Sequence, residues 1–171
     1  MHIRPPTATD GAAVHALIAR CPPLDGNSLY CNLLQCTHFT ETSALAEKGD
    51  ALVGFVSGYR LPDEPGALFV WQVAVDPAAR GQGLGERLIR AILARPACAG
   101  VTVLKATVTR TNGASRAMFE RLAGRLGAAH KRTLLFDRER HLAGAHDSEY
   151  LMTIGPFAAL GPRSTQQKGR S

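Results

Sequence analysis

The chain has 171 residues, of which 45% are hydrophobic, 20% charged and 6% aromatic; that is enough for one domain with a continuous core and too little for two. The apolar and charged fractions are ordinary, which excludes a mainly disordered chain, and no apolar run reaches the roughly 18 residues of a membrane span, so no membrane partner is expected. The net charge of +6, from 20 Lys and Arg against 14 Asp and Glu, favours an acidic partner, polyphosphate cofactor or nucleic acid, without choosing between them.

The opening Met1-His2-Ile3-Arg4-Pro5-Pro6 carries no apolar signal core, which points to the cytoplasm. Ile3–Pro5 reads as a short strand. Thr9 or Asp10 then caps a helix whose apolar positions Val14, Leu17, Ile18 and Cys21 fall on one stripe. Pro22 and Pro23 end it. Residues Leu24–Phe39 follow, dense in polar side chains: Asp25, Ser28, Tyr30, Asn32, Gln35 and His38. Leu29, Leu33 and Cys36 would form the buried side of a second helix there. The polar half is too varied for a plain solvated face and reads as a surface for a small ligand.

Thr42–Glu47 and Ala51–Tyr59 read as strands joined by a Lys48-Gly49-Asp50 turn, and Leu61–Gly66 reads as a loop. Leu68–Val75 is a nearly unbroken apolar run, the pattern of a central strand covered on both faces. Asp76-Pro77 stops it. Arg80-Gly81-Gln82-Gly83-Leu84-Gly85 then opens a helix to about Arg95, with Leu84, Leu88, Ala91 and Ile92 as its core stripe. Val101–Thr109 is a further buried strand and Asn112–Leu126 a helix with Ala117, Met118, Leu122 and Leu126 inward. Arg132–Asp137 and Glu149–Ile154 are the last strands, separated by a loop over Arg138–Ser148. The domain is expected to span residues 1–160. Residues 161–171 form a polar, disordered tail, and the chain carries no internal repeat. The cysteines, Cys21, Cys31, Cys36 and Cys98, have no zinc-site spacing and are expected as free thiols, with no metal bound.

The turn at 80–85 is the decisive chemical feature. Glycines let several backbone N–H groups point at one place, and a helix N-terminus adds unpaired donors and partial positive charge, which together suit phosphate oxygens. Glu86 stands where a Walker loop needs lysine, and the glycine spacing does not fit a dinucleotide fingerprint.

A strand ending Val75-Asp76-Pro77, followed by Arg80-x-x-Gly83-x-Gly85, resembles the acetyl-CoA pyrophosphate loop of the GNAT N-acetyltransferase superfamily, and Asn112–Phe119 resembles its next motif. The order of elements agrees over roughly residues 2–155. The resemblance implies an α/β (α+β) fold: a mixed, mostly antiparallel sheet flanked by helices, with a splayed central pair between Phe69–Val75 and Lys105–Thr109. The pantetheine arm would enter the splay. Acetyl-CoA would contact the backbone at Val73 and Val75, the turn Arg80, Gly81, Gln82, Gly83, Leu84, Gly85 and Glu86, and Asn112. Phe119 stands where many members carry a tyrosine that protonates the leaving thiolate. The acid then lies elsewhere, is water, or is unneeded, since a thiol of pKa near 8.5 leaves readily.

Pro22–Phe39, Gly54–Tyr59 and Leu68–Val75 together resemble the diaminobutyrate acetyltransferase family of ectoine biosynthesis. That likeness implies acetylation of the 4-amine of a small diamino acid, which loses its proton at a cost of roughly 3–4 kcal/mol at pH 7 if its pKa is about 9–10. Asp25 and Glu149 are the candidates to hold the charged amine or relay the proton. Tyr30, Asn32, Gln35 and Trp71 are candidate acceptor contacts, and Tyr30 is also a candidate replacement acid. The sequence does not identify the group that meets the substrate carboxylate; Arg60 and His38 are candidate cations. The family likeness further implies a homodimer. A GNAT enzyme for another amine and a catalytically silent acyl-CoA-binding module remain alternatives. A nucleic-acid binder is disfavoured, because no basic stripe is interleaved with aromatics.

Overall fold

A computed structural model describes residues 1–24 and 26–162. Seven strands form one sheet in the order β1-β2-β3-β4-β5-β7-β6. These are β1 (His2–Arg4), β2 (Ala44–Lys48), β3 (Ala51–Leu61), β4 (Glu64–Val75), β5 (Val103–Thr109), β6 (His130–Phe136) and β7 (Glu149–Ile154). Every neighbouring pair is antiparallel except β4 and β5. The helices are α1 (Gly11–Ala19), α2 (Leu29–His38), α3 (Leu84–Leu93), α4 (Gly113–Leu126) and the short α5 (Arg138–Leu142).

Two apolar layers hold the sheet. On one face Leu45, Phe55 and Ala74 pack under Val14, Leu17 and Ile18 of α1 and Cys36 of α2. On the other, Val56, Leu68, Val70, Leu104 and Ala106 pack against Leu84, Leu88, Ile89 and Ile92 of α3 and Phe119 and Leu122 of α4. Each fully buried leucine or isoleucine in these layers contributes about 1.5–3 kcal/mol. The N-terminal corner is pinned by charge. Arg4 makes a two-pronged contact with Asp10, both oxygens at 2.8 Å, and a third with Glu47 at 2.6 Å. That pairing holds the Asp10 carboxyl down at about 2. Capping there starts at Thr7, whose N–H and hydroxyl both donate to Asp10, so a single 3-10 turn precedes α1.

Several sequence expectations are corrected. Leu61–Gly66 is not a loop: only Pro62 and Asp63 separate β3 from β4. Pro65 is tolerated because the register moves from Arg60↔Leu68 to Leu61↔Glu64, which leaves 65–67 outside the β3 ladder, where a missing N–H costs no ladder bond. Thr40–Thr42 is a 3-10 turn, so β2 begins at Ala44. β6 begins at His130, and α5 occupies the start of the expected 138–148 loop, with the Asp137 carboxylate accepting from the N–H groups of Glu139 and Arg140. The expected tail lies, beyond Gly161 and Pro162, outside the described residues. All four cysteines are free, and Cys21, Cys36 and Cys98 are buried; burial pushes the Cys36 thiol up to about 11. Among the described residues no helix is long and apolar enough to cross a membrane.

Candidate active site

β4 and β5 run together only from Ala67↔Val103 to Val70↔Ala106. Beyond that point they part, two pairs later than the resemblance implied, since Phe69↔Lys105 and Val70↔Ala106 are still paired. The opening forms a cavity of about 480 Å³. Val70, Trp71, Gln72 and Val73 line one wall, and Ala106, Thr107, Val108 and Thr109 the other. Asn112, the residue before α4, with Ser115 and Phe119 of α4, also line it, as do Pro23, Leu24 and Asn27 from the segment before α2. Phe136, His146, Asp147 and Glu149 complete it.

Backbone direction follows from the ladder. Asp76 N–H donates to the Val53 carbonyl at 3.0 Å, and alternate residues of a strand turn their polar groups to the same side. Gln72 and Ala74 therefore face β3, while Val73 and Val75 turn toward the gap. The Val75 carbonyl is met there by the Cys21 thiol at 3.3 Å and by Arg80 Nε at 3.2 Å.

At the end of β4, Asp76 accepts from Ala78 N–H and sets the turn into the glycine loop. Gly81 and Gly83 have φ of +76° and +67°, and a Cβ at either would meet nothing within 4 Å. Their conformation, not crowding, is what calls for glycine. Gly83 is the N-cap of α3, so the first N–H groups of that helix open beside the loop. Gln82 is exposed, and Leu84 turns its side chain into the core. Gly85 sits where α3 crosses β4, with an added Cβ 3.2 Å from Val73 Cγ1. Only backbone groups of residues 84–86 are available to a phosphate. The Glu86 side chain is buried, and Arg121 and Arg125 of α4 lie 3.1 and 2.8 Å from its oxygens, which leaves the backbone N–H of Glu86 for the expected cofactor contact. An anionic side chain aimed at a pyrophosphate would repel it, whereas here it joins α3 to α4. Arg80 is exposed and folded back on Val75. Asn112 caps α4 by accepting from Ser115 N–H at 3.1 Å while lining the cavity.

Of the candidate acceptor contacts, the cavity gathers Trp71 and Glu149. Asp25 lies outside the described residues. Tyr30, in the first turn of α2, is 69% exposed and outside the lining. Asn32 and Gln35 are corrected. The helix buries them beside Cys36, which is buried as expected, with Leu33 half-buried and Leu29 left exposed. Asn32 Nδ2 donates to Gln35 Oε1 and Asn32 Oδ1 accepts from His15 Nδ1, both at 3.0 Å; amides that pair with one another can be buried, and these join α2 to α1. Arg60 donates to the carbonyls of Pro65 and Ala97, and neither Arg60 nor His38 lines the cavity.

Sequence reasoning missed Asn27, Gln72, Thr107, Thr109, Ser115, His146 and Asp147. Gln72 is a buried amide in an otherwise apolar strand and accepts from Asn27 Nδ2 at 3.0 Å; that polar interruption was the available signal. His146 and Asp147 stand just before Glu149 in a charged loop, and Asp147 is held by Thr111 at 3.5 Å and Arg138 at 3.4 Å. Phe119 is buried with its ring in the cavity wall, which places no phenol there. Among the described residues no cluster of His, Cys, Asp or Glu could hold a metal ion.

The arrangement offers a slot between parted strands with an aromatic ring, a carboxylate and an imidazole along its walls, and the glycine turn and helix start follow directly on β4, the strand that forms one of those walls. It suits a phosphate-bearing thioester drawn in beside a small amine. Comparisons agree. The model of the family described as Acetyltransferase (GNAT) family matches residues 12–124. L-2,4-diaminobutyric acid acetyltransferase of Methylotuvimicrobium alcaliphilum is 54% identical over 155 residues, covering 91% of this chain and 90% of the relative. Diaminobutyrate acetyltransferase EctA from Paenibacillus lautus, solved in complex with its substrate L-2,4-diaminobutyric acid and coenzyme A, superposes with a TM-score of 0.87 at 37% identity, covering 92% and 95% of the two chains. The ribosomal-protein-S18-alanine N-acetyltransferase of Escherichia coli, at 15% identity and a TM-score of 0.70 over 99% of each chain, shares the fold alone.

Proposed function

The chain belongs to the acetyltransferase (GNAT) family and, within it, to the diaminobutyrate acetyltransferases, and from that membership we infer its reaction and how its residues carry it. The enzyme transfers the acetyl group of acetyl-CoA to the 4-amino group of L-2,4-diaminobutyrate, giving N4-acetyl-L-2,4-diaminobutyrate for ectoine synthesis. The observation that carries this reading is the parting of β4 from β5 beyond Val70 and Ala106. It turns backbone groups of Val73 and Val75 toward a slot deep enough for an extended thioester arm, which can pair with them as an added strand would.

Acetyl-CoA is held by the amides of the 81–86 turn on its pyrophosphate and by the walls on its arm, with Asn112 in the lining. An N–H of β4 beside the thioester carbonyl stabilises the oxygen as negative charge develops. The neutral 4-amine attacks the carbonyl carbon, the C–S bond breaks, and the electron pair leaves with sulfur. With phenylalanine at 119, the thiolate departs without a phenol from that position. The proton released from nitrogen passes to a group lining the cavity, and Glu149 and His146 are the described residues there suited to take it. Glu149 also answers the positive charge of the acceptor. Asp25 and Tyr30 bracket Asn27, which lines the cavity, and that adjacency supports assigning them to the acceptor as well. The amino acid end is anchored so that the 4-amine, and not the intrinsically less basic 2-amine, reaches the thioester.

The enzyme acts as a homodimer in the cytoplasm on this reading. Free buried thiols suit a reducing compartment. For the dimer, support comes from β6, the terminal strand of the sheet, whose seven residues are all exposed and include Leu134, Leu135 and Phe136; such an edge is usually paired or covered.

The test follows CoA thiol release with acetyl-CoA and 2,4-diaminobutyrate and assigns the acetylated nitrogen by NMR. The expected product carries acetyl on N4. Release with another amine but not with this one overturns the substrate assignment, and CoA binding without release to any amine would make the chain a silent acyl-CoA binder.

A further inference from the structure

We propose that Tyr59 is a positioning residue for acceptor recognition, fixing the Trp71 indole against the cavity; the proposal rests on the functional reading above. Trp71 cannot be oriented by the sheet alone. The β3–β4 register passes from Ser57↔Gln72 to Gly58↔Val70 and leaves Trp71 without a partner across the ladder. At such a bulge the alternation of side chains breaks. Gln72 reaches Asn27, while the next residue back, Trp71, reaches Phe39 and Tyr59. The two adjacent side chains thus both serve the face that carries α1 and α2. Nor does the core hold the indole, which is 44% exposed.

Aromatic neighbours supply what the ladder does not. Tyr59 meets Trp71 at 6.3 Å and 83°, an edge-to-face contact, and Phe39 meets it at 6.4 Å and 61°. Tyr59 is itself set by Phe69, its partner across the strands, at 5.4 Å, and by Phe39 at 6.0 Å. The Thr42 hydroxyl donates to the Gly58 carbonyl at 2.6 Å and fixes the backbone one residue before Tyr59. Rings in this arrangement prefer defined tilts. Trp71 therefore enters the cavity wall at one angle. An acceptor that carries two ammonium groups is attracted to an indole face only when that face is turned to it. Tyr59 has no place in the cavity lining, so its effect runs through Trp71.

Trp71 is the only tryptophan of the chain, so intrinsic fluorescence reads its ring directly. Tyr59→Leu should lower the fluorescence anisotropy, raise acrylamide quenching, and raise KM for diaminobutyrate about 3- to 10-fold, the equivalent of one lost ring pair. KM for acetyl-CoA should not change. Tyr59→Phe keeps the ring and should match wild type in every readout. Should Tyr59→Leu fail to fold, Phe39→Leu removes the other ring contact and is expected to act in the same direction. The proposal is overturned if fluorescence changes without a change in acceptor KM, if both KM values rise together, or if Tyr59→Phe is as impaired as Tyr59→Leu. Wild-type protein that acetylates a different amine would defeat the functional reading instead, and the same KM comparison made with that amine would then decide the role of Tyr59.

Discussion

Replacing Gly83 by alanine isolates the role of the turn that is assigned to the pyrophosphate. Its φ is +67°, and an added Cβ meets nothing within 4 Å. The substitution introduces no clash, so its whole cost is that of an L side chain in the left-handed region, roughly 1–2 kcal/mol. Either the turn keeps its shape and the domain loses that stability, or the turn relaxes and its amides swing away from the phosphates. The turn is exposed at Gly81 and Gln82, so relaxing it disturbs little packing. The cost should therefore appear mainly in cofactor affinity, as a CoA Kd weakened by about 5- to 30-fold, with a small shift in Tm. Gly83→Asn should fall between wild type and alanine, because asparagine tolerates this region better. Isothermal titration with CoA, beside thermal melts of the three proteins, makes the comparison. Unchanged CoA affinity together with an unshifted Tm, the mark of a turn that has relaxed without loosening the cofactor, would refute the grip of this turn on it.

Glu149→Gln removes a charge at nearly constant shape; a charge-assisted hydrogen bond is worth about 1.5–3 kcal/mol, so kcat/KM for diaminobutyrate should fall about 10- to 100-fold with CoA affinity kept, and an equal loss of CoA affinity would point to folding instead. Asp10 is held at about 2 by Arg4, below the ordinary carboxylate value near 3.9. Its folded pKa is depressed, so the stabilisation, about 2.6 kcal/mol at most, is complete above pH 5 or so and is lost as pH falls through 2. Asp10→Asn should accordingly lower Tm at pH 7 and flatten the acid limb of a Tm–pH profile; parallel profiles for both proteins would contradict this. Leu134→Asp places a charge on the exposed edge strand and should convert a dimer to a monomer by light scattering with little change in Tm, whereas an unchanged mass would remove β6 from the interface.

The sheet was legible because its strands are short β-branched and apolar runs between turn residues, and Leu68–Val75 announced a strand covered on both faces. The shape of the glycine turn was legible because two positive-φ positions demanded glycine at a helix start. The face of α2 was not: Asn32 and Gln35 are buried by pairing with each other and with His15, and a hydropathy pattern scores them as outward. Pro65 and Gly66 looked like a loop because single-residue preferences carry no register, and the shift that tolerates them is a property of two strands. The cavity walls at Thr107, Thr109 and Ser115 are ordinary strand and helix residues until β4 and β5 part. Where the Glu86 carboxylate goes was not legible, because only the approach of α4 shows it facing Arg121 and Arg125.

The most direct measurement is a crystal structure of the enzyme with CoA. By this mechanism the pyrophosphate lies on the N–H groups of residues 81–86 and the pantetheine arm between Val73–Val75 and Thr107–Thr109, with its sulfur on the Trp71 and Glu149 side of the slot. Cofactor density elsewhere, with β4 and β5 closed along their length, would contradict it.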